Sequence, residues 1–288
     1  MKNAKITRRS FLLGLAACSA AGVLTACKGS DAPADSASAA PEAPASSVSE
    51  VPPVSLFAVE DFPKLDGSTA CIPLMAQMMA DTTGIDLEAA QSAISVSTTA
   101  YAWESFGLYP DEDYTARMLV VYEAPDYVKD ELKEADAQLE QKPIGRDALV
   151  FIVNEENPVK SLTRQQLKDI YAGKITNWKE VGGQDAPIVV ISRDTSSGTF
   201  DSWQELVMKK ERVTPAALMQ ASNGTVVQAV AKNKNALGYI GLGYLDKSVK
   251  GLTVSKVAAS AKTALDGEWP IARELYIFTN GDPKGGVK

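Results

Sequence analysis

The chain has 288 residues, with 29 lysines and arginines, 36 aspartates and glutamates, and no histidine. An acidic body is a poor nucleic-acid binder, which needs clustered cations; the lack of histidine removes Ser-His-Asp and Cys-His catalysis, the usual zinc ligand sets and the near-neutral general base. Three cysteines, two of them in the first 27 residues, make no disulfide framework.

In chain order, residues 1–9 are basic (Lys2, Lys5, Arg8, Arg9) and 11–26 are small and apolar. That is the n-region and h-region of a signal peptide. Gly14, Ser19 and Gly22 interrupt the apolar run, which is too short for a membrane-spanning helix of ~20 residues. Leu24-Thr25-Ala26-Cys27 resembles a bacterial lipobox, which implies a lipid on Cys27 and an anchor in the cell membrane. The TRRSFL run at 7–12 resembles a twin-arginine export signal, with an ordinary n-region as the alternative. Either route places the mature chain on the extracytoplasmic face. Residues 28–53 are 18 parts in 26 Ala, Ser and Pro, a composition that cannot bury enough surface to fold and reads as a disordered tether.

From Val54 the composition is globular. A strand is expected at 54–59, a polar turn ending in DGST at 66–69, and a helix at 70–80 with Pro73 in its first turn. Strands are expected at 94–97, 118–122, 148–153, 188–191, 236–240 and 275–279. Helices are expected at 100–106, 161–171, 200–210 and 226–232, and the acidic stretch 130–140 reads as a solvated helix face. Alternating strands and helices predict an α/β fold with mostly parallel sheets flanked by helices. In such sheets ligands sit at strand C-terminal ends, where helix N-termini point.

Three strand-to-helix turns carry one chemistry. They are Gly67-Ser68-Thr69, Ser97-Thr98-Thr99 and the run RDTSSGT from Arg193 to Thr199. Each offers hydroxyls and free backbone N–H groups at an expected helix start, where partial positive charge gathers. One such turn is ordinarily a helix cap. Three of them with one arginine make a cage for a small tetrahedral oxyanion, with no metal or cofactor required. Trp103, Trp178, Trp203, Trp269, Tyr239 and Tyr244 read as packing residues, and Cys71 as a buried free thiol.

RDTSSGTF, the DGST turn and the run 147–183 together resemble the phosphate-binding (PstS-like) solute-binding proteins of bacterial ABC importers. The resemblance covers most of 54–283. It implies a two-lobed Venus-flytrap α/β fold, with lobe I at 54–146 and 273–288, lobe II at 147–272, and chain crossings near 145–148 and 273–276. It implies that Ser68, Thr69, Ser97, Thr98 and Thr99 contact phosphate from lobe I. From lobe II the contacts would be Arg193, Ser197, the Gly198 N–H and Thr199, with Ser196 as the alternate. Glu123, in the EAP after the strand at 118–122, would stand where the family has an aspartate, accept the proton of phosphate, and reject sulfate. The implied partners are inorganic phosphate and an ABC permease, the chain acting as a monomer. The second turn departs from a glycine-rich family pattern, and where family members continue with a further helix the sequence stops at Lys288, being either truncated or diverged there. Other readings are the same fold with another oxyanion, a phosphate sensor or surface protein, and a hydrolase using Ser197, which would lack a histidine base.

Overall fold

The computed structural model describes residues 55–56, 58–108, 116–135 and 139–280. The signal peptide, the lipobox with Cys27 and most of the tether-to-body boundary lie outside these residues, as do 281–288. The expected strand at 54–59 is not a strand where it is described. Leu56 is 64% exposed and Val59–Asp61 coil in a 3-10 turn, with no strand among the described residues to hold them extended.

The first strand is β1 (Leu65–Gly67). Gly67 has φ +150°, and a Cβ there would lie 2.0 Å from the Val120 carbonyl oxygen, so glycine lets the chain pass close against its neighbour. Ser68 caps a 3-10 turn that runs into α1 (Ile72–Thr83), with Pro73 in its first turn and Gly84 closing it at φ +76°. Asp86 caps α2 (Leu87–Ala93). The expected strand at 94–97 has no strand partner among the described residues and leads into α3 (Thr99–Leu108). Next come the fully buried β2 (Met118–Val121) and α4 (Asp126–Glu134), which buries Val128 and Leu132 and turns its acids to solvent.

The longest strand, β3 (Leu139–Asn154), extends far beyond its apolar core at 148–153. After the short β4 (Ser161–Leu162) comes α5 (Arg164–Tyr171), started by a Thr163–Gln166 capping box. Then follow β5 (Val189–Arg193), α6 (Gly198–Trp203) with a π-turn to Met208, β6 (Leu218–Gln220), α7 (Asn223–Ala231) and β7 (Ala236–Gly241). The chain continues through β8 (Val249–Gly251), β9 (Thr253–Val254), α8 (Ala261–Leu265) and β10 (Ala272–Asn280).

The main sheet runs β1-β2-β10-β3-β7-β5-β6, with β8 also on β3. The expectation of parallel strands holds for β1 with β2 and for β5 with β6 and β7. The long strands β3 and β10 run antiparallel to their neighbours, because they carry the chain from one half to the other. β3 pairs with β10 as far as Ala148, then with β7 from Leu149 onward. The crossing contains the register pairs Arg273–Asp147 and Leu275–Gly145, with a bulge between Leu275 and Tyr276.

Each half has its own core. One contains Phe151, Tyr171, Trp203 and Tyr239 in mutual ring contact at 4.7–6.5 Å, with Trp178 and Trp269 also buried. The other half packs Trp103 edge-on against Phe278 and adds separate clusters around Met75 and Ala76. All four tryptophans are core residues, as expected. The C-terminal end of β5 meets the turn after β1, where Arg193 reaches the Thr69 hydroxyl.

Candidate anion site

The first turn, after β1, and the second, before α3, are tied by a residue absent from the sequence-based set. Asp66 accepts from the N–H groups of Gly67 and Ser97, both at 2.7 Å, and from the Ser97 hydroxyl at 2.5 Å. Ser97 is therefore exposed and its hydroxyl is consumed by Asp66, so the structure does not bring it into the cage. Thr98 follows with φ +104°, a strained conformation for a β-branched residue that glycine would adopt freely. This is the physical content of the missing glycines in that turn. The hydroxyls of Thr98 and Thr99 are buried and have no hydrogen-bond partner.

The third turn stands at the end of β5. Arg193 is 1% exposed. Its Nη1 donates to the Thr69 hydroxyl at 3.3 Å and its Nη2 to the Ala221 carbonyl at 3.0 Å, while its Nε has no partner. Its backbone N–H donates to the Tyr239 hydroxyl, which places that core tyrosine directly beneath the turn. No ion pair holds this guanidinium among the described residues, and burial lowers its pKa from the usual arginine value. Ser197 caps α6 through the Phe200 N–H, and Thr199 is fully buried. Ser196 gives its hydroxyl and N–H to Asp194, so the alternate contact is turned away.

The two helix starts meet. A Cβ on Gly198 would lie 2.4 Å from the Thr99 hydroxyl oxygen, and the Ala100 N–H donates to the Ser196 carbonyl at 3.2 Å. Only glycine permits this approach of α6 to α3. The structure thus gathers Ser68, Thr69, Thr98, Thr99, Arg193, Ser197, Gly198 and Thr199 at one interface. It does not gather Glu123. That side chain is 59% exposed and ion-paired with Lys129 at 3.0 Å, because the chain after β2 turns outward into α4.

A carboxylate that the interface does hold is Asp147, on β3, its side chain 14% exposed. It accepts from Arg273 Nε (3.1 Å) and Nη2 (2.8 Å) and from the Tyr122 hydroxyl (2.9 Å), and its other oxygen accepts the Leu242 N–H. Arg273 also donates to the Gly198 carbonyl at 2.9 Å and stacks on the Tyr122 ring at 3.4 Å. Burial works against the Arg273 charge, but Tyr122 and Asp147 outweigh it and raise its pKa. The sequence signal for this pair is an ionic residue at the edge of each apolar strand run, in DALVFIV and IARELYIF. Cys71 lies beneath, buried and free, its thiol pushed up to about 12 chiefly by burial.

Asp201, in the first turn of α6, has a buried oxygen with no partner. Burial pushes its carboxyl up to about 7; Arg273 opposes this, and Asp126 and Asp194 add to it. Between its ordinary value of 3.8 and about 7, the folded chain holds a proton that the unfolded chain has lost. Stability therefore falls as pH rises through that window, and the loss is complete above it. Asp201→Asn is expected to melt higher than wild type at pH 8, with the gap closing toward pH 4. Parallel melting-temperature profiles for the two proteins would rule this out. Among the described residues no cluster of acids or cysteines is arranged to hold a metal.

This arrangement is that of a two-lobed α/β binding protein, with helix starts and hydroxyls facing each other across the lobe interface. The family model of the PBP superfamily domain matches residues 114–288, and the chain belongs to that superfamily, in its PstS-like group. A protein from Clostridium perfringens, assigned as a phosphate ABC transporter substrate-binding protein and solved with bound phosphate, is 30% identical. The match covers 77% of this chain and 88% of that one, with a TM-score of 0.63. An ABC-type phosphate transport receptor from Vibrio cholerae is also 30% identical, over 76% of this chain and 87% of its own, with a TM-score of 0.53. The phosphate-binding protein PstS of Borreliella burgdorferi is 33% identical over 166 residues, 54% of this chain and 58% of its own length. The chain spans about half the length of the curated relatives it matches. These relatives are phosphate-binding and phosphate-transport proteins.

Proposed function

We propose that this chain captures inorganic phosphate between two lobes, 54–146 with 273–288 and 147–272, and delivers it to an ABC permease as a monomer. The observation that carries the reading is Arg193, a buried guanidinium with a free Nε and, among the described residues, no carboxylate partner. An uncompensated buried charge is strongly unfavourable, and an anion resolves it. The unpartnered hydroxyls of Thr98 and Thr99 and the helix starts at Ser68 and Ser197 supply further donors. The phosphate-bound C. perfringens relative supports the choice of anion. Closure would turn on the β3–β10 crossing.

Calorimetric titration with phosphate, sulfate and molybdate tests the reading. Sulfate and molybdate are the informative comparisons, because Glu123 lies in solvent beside Lys129. Saturable phosphate binding is the expected result; no heat with phosphate, or tighter binding of sulfate, overturns it.

The same reading places the protein on the extracytoplasmic face of the cell membrane, held by lipid on Cys27 through the tether at 28–53. No described helix is long and apolar enough to cross a membrane. Cys27→Ser is expected to move the protein from the membrane fraction to the soluble fraction. Unchanged membrane association would exclude the lipid anchor.

A further inference from the structure

Asn223 opens α7 and is completely buried, yet the helix is capped by Ser222, so its amide is not needed there. The Gly241 N–H donates to Asn223 Oδ1 at 3.0 Å. A backbone N–H only donates, so this bond fixes which end of the amide is oxygen. The other end, Nδ2, therefore donates to the Thr69 hydroxyl oxygen, 3.0 Å away in the opposite half of the molecule. Arg193 Nη1 reaches the same oxygen at 3.3 Å. A hydroxyl has two lone pairs and one proton. Two obligate donors take both lone pairs, leaving Thr69 able only to donate.

We propose that Asn223 is a positioning residue that commits the Thr69 hydroxyl to donate to an unprotonated oxygen of the bound anion. The commitment exists only when the halves are together, because Asn223 and Arg193 belong to one half and Thr69 to the other. Anion capture and closure are thereby coupled through a single hydroxyl. The proposal rests on the phosphate reading above. It adds that Asn223 matters to affinity without touching the ligand.

The test is a double-mutant cycle on phosphate affinity, read by calorimetry. Thr69→Val and Asn223→Ala are each expected to weaken binding about 10-fold or more, the range for a hydrogen bond to a charged group. The double variant is expected to bind within about twofold of T69V alone, because without the hydroxyl there is nothing left to orient. Thr69→Ser keeps the hydroxyl and is expected to restore binding to near wild type. Losses in T69V and N223A that multiply in the double variant would show a merely structural asparagine and overturn the proposal.

N223A also strips the Gly241 N–H of its acceptor, so Asn223→Asp serves as the variant that keeps it. Its carboxylate accepts the Thr69 proton and is expected to weaken phosphate binding more in the Thr69 background than in T69V. An equal loss in both backgrounds again overturns the proposal. A wild-type protein that binds no phosphate overturns the phosphate reading and the proposal with it. Wild-type binding with independent losses overturns the proposal alone.

Discussion

Arg193→Ala is expected to lower phosphate affinity by roughly 30-fold to several-thousand-fold, the equivalent of about 2–5 kcal/mol for removing one partner of a desolvated charged contact. The same substitution is expected to leave the ligand-free protein folded and little changed in melting temperature. The reason lies in the surroundings of the side chain. It forms no ion pair among the described residues, so its removal takes away a desolvated charge along with its bonds to Thr69 and Ala221. An arginine kept for structure would behave the other way, with a large fall in stability and near-normal binding. Arg193→Lys is expected to rescue little, because a point charge cannot replace the guanidinium fork between Thr69 and Ala221. Glu123→Gln is the matched control and is expected to bind within about twofold of wild type, since an exposed pair with Lys129 contributes little. Unaltered phosphate affinity in folded R193A would remove the proposed site.

Arg273→Ala is expected to show the reverse pattern. It breaks a buried ion pair and leaves Asp147 uncompensated, which destabilises by about 3–5 kcal/mol. At about 2–4 °C per kcal/mol for a chain of this size, the melting temperature falls by roughly 6–20 °C. It also frees the Gly198 carbonyl, which Arg273 holds at 2.9 Å, so the start of α6 loses its support. Thermal melts of R273A and wild type check this, and a melting temperature within about 2 °C of wild type would show that the pair with Asp147 contributes little to stability.

The turns of the candidate cage were legible because their chemistry is local. A helix start needs a cap, a close approach needs glycine, and an anion needs donors; each leaves its mark within a few residues, as in the run from Arg193 to Thr199. The strands that support it were legible as apolar runs at β2, β5 and β7. Where the pattern misled, the missing information was a partner. The stretch at 54–59 is apolar enough for a strand, but among the described residues no strand lies beside it, and Leu56 instead donates its N–H to the Thr82 carbonyl. Ser97 and Ser196 resemble the other hydroxyls of their turns, and only Asp66 and Asp194 beside them decide that they face away.

By itself, then, the order of residues determined the α/β alternation and the three hydroxyl-bearing turns, the third opened by Arg193. Those follow from periodicity, capping and turn chemistry, which act over fewer than ten residues, whereas the chain crossings near 145–148 and 273–276 were implied by the resemblance alone. The tertiary structure alone decided which groups meet across the interface. It sent Glu123 outward with α4, paired Asp147 with Arg273 through the register of β3 and β10, and brought Asn223 to Thr69 from 154 positions away in the chain. No local rule encodes such pairs, because a side chain's partners are set by how long strands cross and how helix starts dock, and these depend on the packing of both halves at once.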